Sequence, residues 1–345
     1  VGIGFMRLLL DRTLIIDRLV IRDTGIDVQQ MPDNSFRIQG IPIDELLGER
    51  PASPQGNVTI EIVGEDIELR FMQPGDERPQ FFEIPGVSVS FNTARIAADA
   101  DIRLPDELGR QLKLSAMQVL SMPADLRRWD IGVDGDDLVL AGWSDLVGGR
   151  YRLAGGQGDL ELALAVGVDG VSNASAQIDF EDVALAGTQT FAISGHVEAD
   201  VSDSDWLIAA NELVLGFDDH TWPETTITVE ASVDDAGKIV MLDTRASYLA
   251  LDDLEMVSPW LADAQKETLN SLSPTGIVRN LSATVAEIDS DEPRFNVSAE
   301  LVGVGIENGP GRPGLRGFSG LIRANRAGGR LEIDSSDLDI IAPDY

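Results

Sequence analysis

The sequence has 345 residues, of which none is cysteine and only two are histidine, His196 and His220. Disulfide bonds and thiolate metal sites are therefore excluded. Each histidine is far from the other, so neither belongs to a pattern with the ligand spacing of a zinc site. We predict no metal-binding residues and expect both histidines on the surface or in turns.

Motifs for covalent or cofactor chemistry are also missing. Around Ser194, Ala192 and His196 occupy the positions where a nucleophile elbow has glycines. The glycine-rich stretch 155–158 precedes a strand pattern instead of a helix, and Glu161 stands where a dinucleotide fingerprint has its last glycine. We therefore predict that the chain is not an enzyme, has no catalytic residues and requires no cofactor.

Positive charge is scarce, because 26 lysines and arginines face 59 acidic residues and leave a net charge of −33. Such a chain repels polyanions, so nucleic acid is excluded as a partner. We attribute the acidity to solubility of a protein with much apolar surface. The acidic residues at 130–137 match a calcium loop only in part, since Leu138 and Val139 replace a ligand and the glycine, and they favour a solvated hairpin turn.

Long hydrophobic runs are missing as well. The apolar stretch 5–10 near the start is too short to span a bilayer and is interrupted by Arg7. Because the chain begins with Val1 and ends at Tyr345 in strand-forming sequence, we interpret it as a segment of a longer protein. Any membrane anchor would lie outside this segment.

What the sequence does contain is a repeated alternation of apolar and polar residues, the pattern of half-buried β-strands. Two such runs, 58–62 and 67–71, are separated by a short link with Gly64 and Glu65, which predicts a hairpin. Further runs occur at 87–91, 160–166, 227–233 and 295–301. Turn signals rich in glycine, proline and aspartate occur at 74–76, 148–149, 155–156, 234–237 and 309–311.

Helical periodicity is limited to a short stretch at 43–49 and a longer one at 251–272, in which Pro259 predicts a kink. The remaining length accommodates roughly 18 to 22 strands of ordinary size. A flat sheet of that many strands would curl, split or close. We therefore predict an all-β fold: an elongated, twisted antiparallel sheet folded into a gutter-like groove, with a few short helices.

The apolar faces of the clearest runs are the candidate lipid-binding residues of this groove. They are Val58, Ile60, Ile62, Val87, Val89, Phe91, Leu160, Leu162, Leu164, Phe295, Val297 and Leu301. For each of them, ordinary packing under a helix or a second sheet is the alternative.

Three stretches resemble the YhdP branch of the AsmA-like, bridge-like lipid transfer proteins. The opening, with Leu14 to Ile21 followed by Phe36 to Gly40, is similar to an AsmA-type strand pair that precedes a short helix. Leu104-Pro105, Trp129 and the strand at 160–166 follow the order of that branch. The block from Leu272 to Gly276, continued by Phe318-Ser319-Gly320 and by Gly329 to Ile333, is the most specific part.

This resemblance implies one continuous segment, 1–345, of a longer β-groove protein. It would comprise the opening strand pair and helix at 1–50, groove strands at 51–250, a helical insertion at 251–272 and further groove strands at 273–345. It also implies an anchor in the inner membrane of a Gram-negative bacterium through an N-terminal helix absent from this chain, and a periplasmic location.

The function implied by the resemblance is conduction of phospholipid to the outer membrane, with outer-membrane components as further partners. The family has no cofactor and no catalytic residues to transfer. Two alternatives stay open: a non-catalytic envelope scaffold or outer-membrane assembly factor, and a carbohydrate-active β-solenoid. The solenoid is disfavoured because aromatic residues are only 6% of the chain and sugar clefts use aromatic platforms.

Overall fold

The computed structural model describes residues 2–3, 16–33, 35–42, 59–75, 78–123, 126–147, 153–168, 170–185, 189–202, 204–234, 236–254, 256, 263–288, 290, 293–309 and 311–342. Within them the chain forms 20 strands and two helices, so the predicted all-β class is confirmed. By its internal contacts the chain divides into two compact units. Unit 1 comprises Val1–Val139 and Gly158–Ser172, and unit 2 comprises Leu140–Gln157 and Asn173–Tyr345.

The first ten strands are β1 (Gly2–Ile3), β2 (Ile16–Gln30), β3 (Phe36–Ile38), β4 (Ile41–Pro42), β5 (Ile60–Met72), β6 (Gln80–Phe91), β7 (Arg95–Arg103), β8 (Gln111–Val119), β9 (Trp129–Val139) and β10 (Leu153–Gly167). In unit 1, β5 to β9 form an antiparallel meander. The long strand β2 pairs with β5 in parallel, which departs from the predicted antiparallel pairing at this pair. On its other edge β2 pairs with the short strands β1 and β3, and β3 pairs with β4.

The later strands are β11 (Gly170–Leu185), β12 (Phe191–Val201), β13 (Asp205–Gly216), β14 (Thr225–Val233), β15 (Ile239–Ala250), β16 (Thr275–Ala286), β17 (Arg294–Ile306), β18 (Gly314–Asn325), β19 (Gly328–Ile333) and β20 (Asp339–Ile341). In unit 2, β11 to β18 form a second antiparallel meander. Both β19 and β20 pair with β18. Within the described part of each unit, the strands that contact each other most extensively are hydrogen-bonded neighbours in the sheet.

The helices are α1 (Leu140–Val147) and α2 (Asp263–Leu272). Helix α1 was not anticipated from the sequence. Helix α2 lies inside the predicted stretch 251–272, whose beginning instead forms a short 3₁₀ turn at 252–254. Pro259 and the stretch 43–49 lie outside the described residues. Among the helices of the described part, none is long and apolar enough to cross a membrane.

Six polar residues interrupt strands with a left-handed backbone, and we call them the kink residues. Their φ angles lie between 50° and 54°, and they are Asp23, Asp66 and Asp137 in unit 1 and Asp182, Glu212 and Asn280 in unit 2. Asp and Asn tolerate this conformation better than branched apolar residues. An inserted residue of this kind bends the strand and shifts its alternation by one position.

The kink at Asp66 corrects one prediction. The runs 58–62 and 67–71 do not form a hairpin, because residues 60–72 are one continuous strand, β5. An ideal Cβ on Gly64 would lie 2.6 Å from Val87 Cγ1 and 3.1 Å from Ile67 Cγ1, so Ile67 shares the face of Gly64. Simple alternation would place Ile67 on the opposite face, and the kink therefore keeps the apolar face continuous.

Two predicted turns are also wrong. Gly155 and Gly156 lie inside β10, and the acidic residues at 130–137 lie inside β9. Glycine and aspartate are frequent in turns, but Gly156 and Asp137 have positive φ angles inside strands, where the same tolerance of unusual backbone angles is needed. The turns at 74–75, 236–237 and 311 are confirmed, whereas 148–149 lies outside the described residues.

Candidate functional site

The first candidate surface is one face of the unit 1 sheet. Residues that oppose each other in antiparallel strands point to the same face. Val89 lies opposite Ile62 and Ala98, Ala98 lies opposite Ala116, and Ala116 lies opposite Ile131. This row crosses five strands, β5 to β9, without a polar side chain.

Two further rows flank the first one on the same face. One consists of Gly64, Val87, Ala100, Leu114 and Val133, and the other of Ile60, Phe91, Ile96, Gln118 and Trp129. Gln118 is the single polar member of the three rows. Together they form a continuous apolar area, which we call the apolar face of unit 1.

The opposite face of the same strands is polar. Ser88 lies opposite Asp99, Asp99 opposite Ser115, and Ser115 opposite Gly132. Lys113 and Asp134 form an exposed ion pair on this face, with Nζ 3.2 Å from Oδ2. The strands of unit 1 therefore have one hydrated side and one side that water solvates poorly.

Burial of most of the apolar face of unit 1 changes at the kink residues; Ile96 in a flanking row is an exception, at 6% exposure. Beyond the kink, four apolar side chains are only 3 to 8% exposed: Ile67, Phe82, Ile84 and Leu138. On the other side of the kink, Ile62, Val89 and the remaining members of the central row are only half-buried. We call the first region the packed end and the second region the open half.

The half-buried side chains of the central row are not fully covered by other parts of the protein. In the open half this uncovered surface is apolar, which is the feature that marks interaction sites.

Unit 2 has an apolar face of the same kind. Its longest row crosses eight strands, from β11 to β18, and Thr244 is its single polar member. The row consists of Ala174, Ala199, Ile208, Val229, Thr244, Ala283, Val297 and Ala324. A neighbouring row contains Trp206, Ala231, Leu242, Val285 and Phe295.

In unit 2 the open half and the packed end are again separated by kink residues, with Ala231 in the open half as a buried exception at 2% exposure. The packed end contains Phe180, Leu213, Leu215, Trp222 and Phe318, each at most 8% exposed. Ile208 and Phe295, in the open half, are 43% and 41% exposed. Bulges in the ladders at Asp182, Glu212 and Asn280 mark the boundary.

The structure places the predicted site residues in three groups. Five share the apolar face of unit 1: Ile60, Ile62, Val87, Val89 and Phe91. Three half-buried residues, Leu160, Leu162 and Leu164, alternate in β10 with exposed residues at 159, 161 and 163. Phe295, Val297 and Leu301 share one face of β17 in unit 2. Val58 lies outside the described residues.

Several residues of these faces were missed from the sequence. In unit 1 they lie on β7 to β9 and include Ala98, Ala116, Ile131 and Val133. The sequence does contain the alternation typical of a half-buried strand here, since Leu112, Leu114 and Ala116 alternate with polar residues. Alanine adds little hydrophobicity to such a run, so the alternation is weak where the strand is rich in alanine.

One group of carboxylates in unit 1 has the spacing of a cation site. Oxygens of Asp136, Asp137 and Asp159 lie within 4.8 Å of one another. Arg110 already pairs with Asp136 and, through Nε at 3.1 Å, with Asp137, and these carboxylates raise the pKa of Arg110. The backbone N–H of Asp137 also donates to Asp159 Oδ1 at 2.9 Å. Arg110 therefore offsets part of the negative charge of this group, which lies beside the kink residue Asp137.

The two histidines differ in position. His196 lies in β12, half-buried on the polar face, with Nε2 3.2 Å from Glu198 Oε1. His220 lies in the turn between β13 and β14, as predicted for a turn histidine. Hydrogen bonds of His220 to Asp253 and Asp219 raise its pKa above the ordinary value.

The two units thus define an all-β protein whose strands have one apolar and one polar face. The profile of the YhdP protein family matches residues 5–345. The chain therefore belongs to the YhdP family, whose members are AsmA-like proteins of the bacterial envelope. No curated protein and no solved structure matches the chain significantly.

Proposed function

We propose that this chain is a non-enzymatic, periplasmic segment of an inner-membrane-anchored protein that conducts phospholipids toward the outer membrane. The observation that carries the proposal is the set of half-buried apolar rows in the open half of each unit. Phospholipid is the partner, and its acyl chains would lie on these rows.

The free energy of burial favours such a ligand. Removing one CH₂ group from water contributes about 0.8 kcal/mol, so an acyl chain gains substantially by covering several rows of Val, Ile and Leu. The contact has no preferred direction along the row, because dispersion and hydrophobic attraction do not depend on orientation. A chain can therefore shift from one strand to the next without breaking a directional bond.

The dimensions also fit. Neighbouring strands lie about 4.8 Å apart, so the central row of unit 1 extends about 19 Å from β5 to β9. One leaflet of a bilayer has a hydrocarbon thickness of about 15 Å. The row is long enough to hold the acyl chains of a phospholipid while the head group stays in water.

A charge in the open half tests the proposal directly. We expect Leu114→Asp to reduce the amount of phospholipid that co-purifies with the protein at least several-fold, because a carboxylate on this face must be dehydrated when a hydrocarbon covers it. Phospholipid extracted from the purified protein and quantified by mass spectrometry measures the effect.

The matched control is Ser115→Asp, which puts the same charge on the next residue of β8. Ser115 is exposed on the polar face, so its carboxylate stays in water and lipid occupancy should not change. Equal occupancy in wild type and both variants would contradict lipid binding on the apolar face.

Photo-crosslinking separates lipid from protein as the occupant. A photoreactive side chain at Val89 should crosslink to phospholipid in cells, whereas the same group at Ser90, which points to the other face, should not. Crosslinks from Val89 to a protein alone would favour the envelope scaffold or assembly factor and overturn the proposed conduction.

A further inference from the structure

A short turn after β15 is fastened to the beginning of β16 in unit 2. The turn comprises residues 251–254, and we call it the clasp turn. The N–H of Leu251 donates to the carbonyl oxygen of Gly276 at 2.8 Å, and the N–H of Gly276 donates to Asp252 Oδ2 at 2.8 Å. One side of the clasp turn is therefore attached by two bonds that do not involve a titrating proton.

The other side of the clasp turn is attached through Asp253. One oxygen of this carboxylate, Oδ2, lies 2.9 Å from His220 Nε2 and accepts a hydrogen bond from Trp222 Nε1 at 2.6 Å. The side chain of Asp253 is only 9% exposed. A nearly buried carboxylate is thus shared by two donors from the segment that joins β13 to β14.

The hydrogen-bond partners of His220 favour its protonated, imidazolium form. Its second ring nitrogen, Nδ1, lies 2.8 Å from Asp219 Oδ1, so both ring nitrogens face carboxylate oxygens. Only the imidazolium form donates from both nitrogens. The ring also stacks on Phe217, with the ring centroids 4.8 Å apart, which holds it in this orientation.

The charged groups that face the imidazole are the carboxylates of Asp253 and Asp219. Both hydrogen bonds raise the pKa of His220, with that of Asp253 as the larger cause. Tyr248 from β15 packs edge-on against Trp222, with the ring centroids 5.5 Å apart. The pKa of Tyr248 is raised, mainly by burial, so its hydroxyl stays neutral when His220 titrates.

The clasp turn is attached to the packed end of unit 2. Trp222 is 5% exposed, and its backbone N–H donates to the backbone carbonyl oxygen of Leu215. Leu215 is itself only 3% exposed. Thr225, three residues after Trp222, is fully buried. Displacement of Asp253 would remove the partner of the Trp222 indole and loosen this end of the apolar face.

We propose that the imidazolium of His220 is a clasp that holds the Asp253 side of the turn 251–254 on the packed end of unit 2, and that loss of its proton loosens this side of the turn. The proposal does not depend on what the apolar face binds. After deprotonation one ring nitrogen presents a lone pair to a carboxylate, and an attraction becomes a repulsion.

The direction of the pH dependence follows from the raised pKa. The bond to the imidazolium stabilises the attached turn fully below the ordinary histidine pKa of 6.5. That contribution is lost as the pH rises through the higher pKa of the folded state. For each unit by which the folded pKa exceeds 6.5, protection of the turn should fall by up to about tenfold.

Hydrogen exchange of the 345-residue chain tests this proposal. After correction for the intrinsic pH dependence of exchange, the peptide that covers 251–256 should lose protection as the pH rises, and NMR should show His220 titrating above 6.5. In His220→Gln the protection should be low at every pH. His196→Gln is the matched control and should keep the wild-type pH profile.

Asp219→Asn provides a milder second variant, because Asp219 is 83% exposed and its loss leaves the bond to Asp253 intact. It should shift the loss of protection to lower pH without abolishing it. Protection of 251–256 that does not depend on pH in the wild type, or a pH dependence that persists in His220→Gln, would overturn the proposal.

Discussion

The packed end and the open half of each apolar face belong to the same strands but differ in how far their side chains are covered. Phe318 in β18 is 4% exposed, whereas Phe295 in the adjacent strand β17 is 41% exposed. The residue type is the same, so the position of each ring in the sheet decides the difference. Stability and the candidate binding surface are therefore separated along each strand.

The largest expected effect compares these two phenylalanines. Phe318→Ala should lower the free energy of unfolding by about 3–5 kcal/mol, because it opens a cavity in a packed region. Phe295→Ala should lower it by less than about 2 kcal/mol, because much of that ring is already in water. Urea denaturation of both variants measures the difference, and equal losses would contradict the division into two regions.

A smaller effect on stability tests the boundary between the packed end and the open half, which lies at the kink residues. Asp66→Val should lower the free energy of unfolding by about 1–3 kcal/mol, because a β-branched residue is strained at a φ of 54°. Glu68→Val, in the same strand with ordinary backbone angles, should change stability by less than about 1 kcal/mol.

Thermal and urea unfolding of these two variants, with Asp66→Gly as a further control, measure the strain. Glycine adopts this backbone without strain, so Asp66→Gly should keep wild-type stability. If Asp66→Val is as stable as Glu68→Val, the left-handed backbone at the boundary is not required for folding.

The smallest effect concerns the polar face. Lys113→Ala removes an ion pair whose side chains are 55% and 52% exposed. Exposed pairs of this kind contribute little, so the free energy of unfolding should change by less than about 0.5 kcal/mol. A loss comparable to that of Phe318→Ala, measured by the same denaturation, would show that the two faces do not differ in the way their burial implies.

Much of the candidate site was predictable because alternation is a local property. Ile62, Val89 and Val297 stand out in runs where every second residue is apolar, and all three lie on apolar faces. Ala98 and Ala116 were missed because alanine gives a weak signal. They become part of the site only through register with more apolar neighbours on β6 and β9.

The kink residues mark where local reasoning failed. Asp66 shifts the alternation by one position within a single strand, and from the sequence this shift resembles the end of one strand and the beginning of another. Whether an aspartate forms a turn or a strand kink depends on the neighbouring strand. At Asp66 that neighbour includes β2, whose own kink residue Asp23 lies at the same level of the parallel ladder.

By itself the sequence determined the all-β class, the approximate number of strands, the acidic surface and the absence of cysteine chemistry, because each of these depends on composition or on residues close together in the chain. Only the tertiary structure decided the parallel pairing of β2 with β5, the register that aligns eight residues into one row, and the clasp between His220 and Asp253. These depend on contacts between residues distant in sequence, where many pairings satisfy the same local pattern and the packing of the whole sheet selects one.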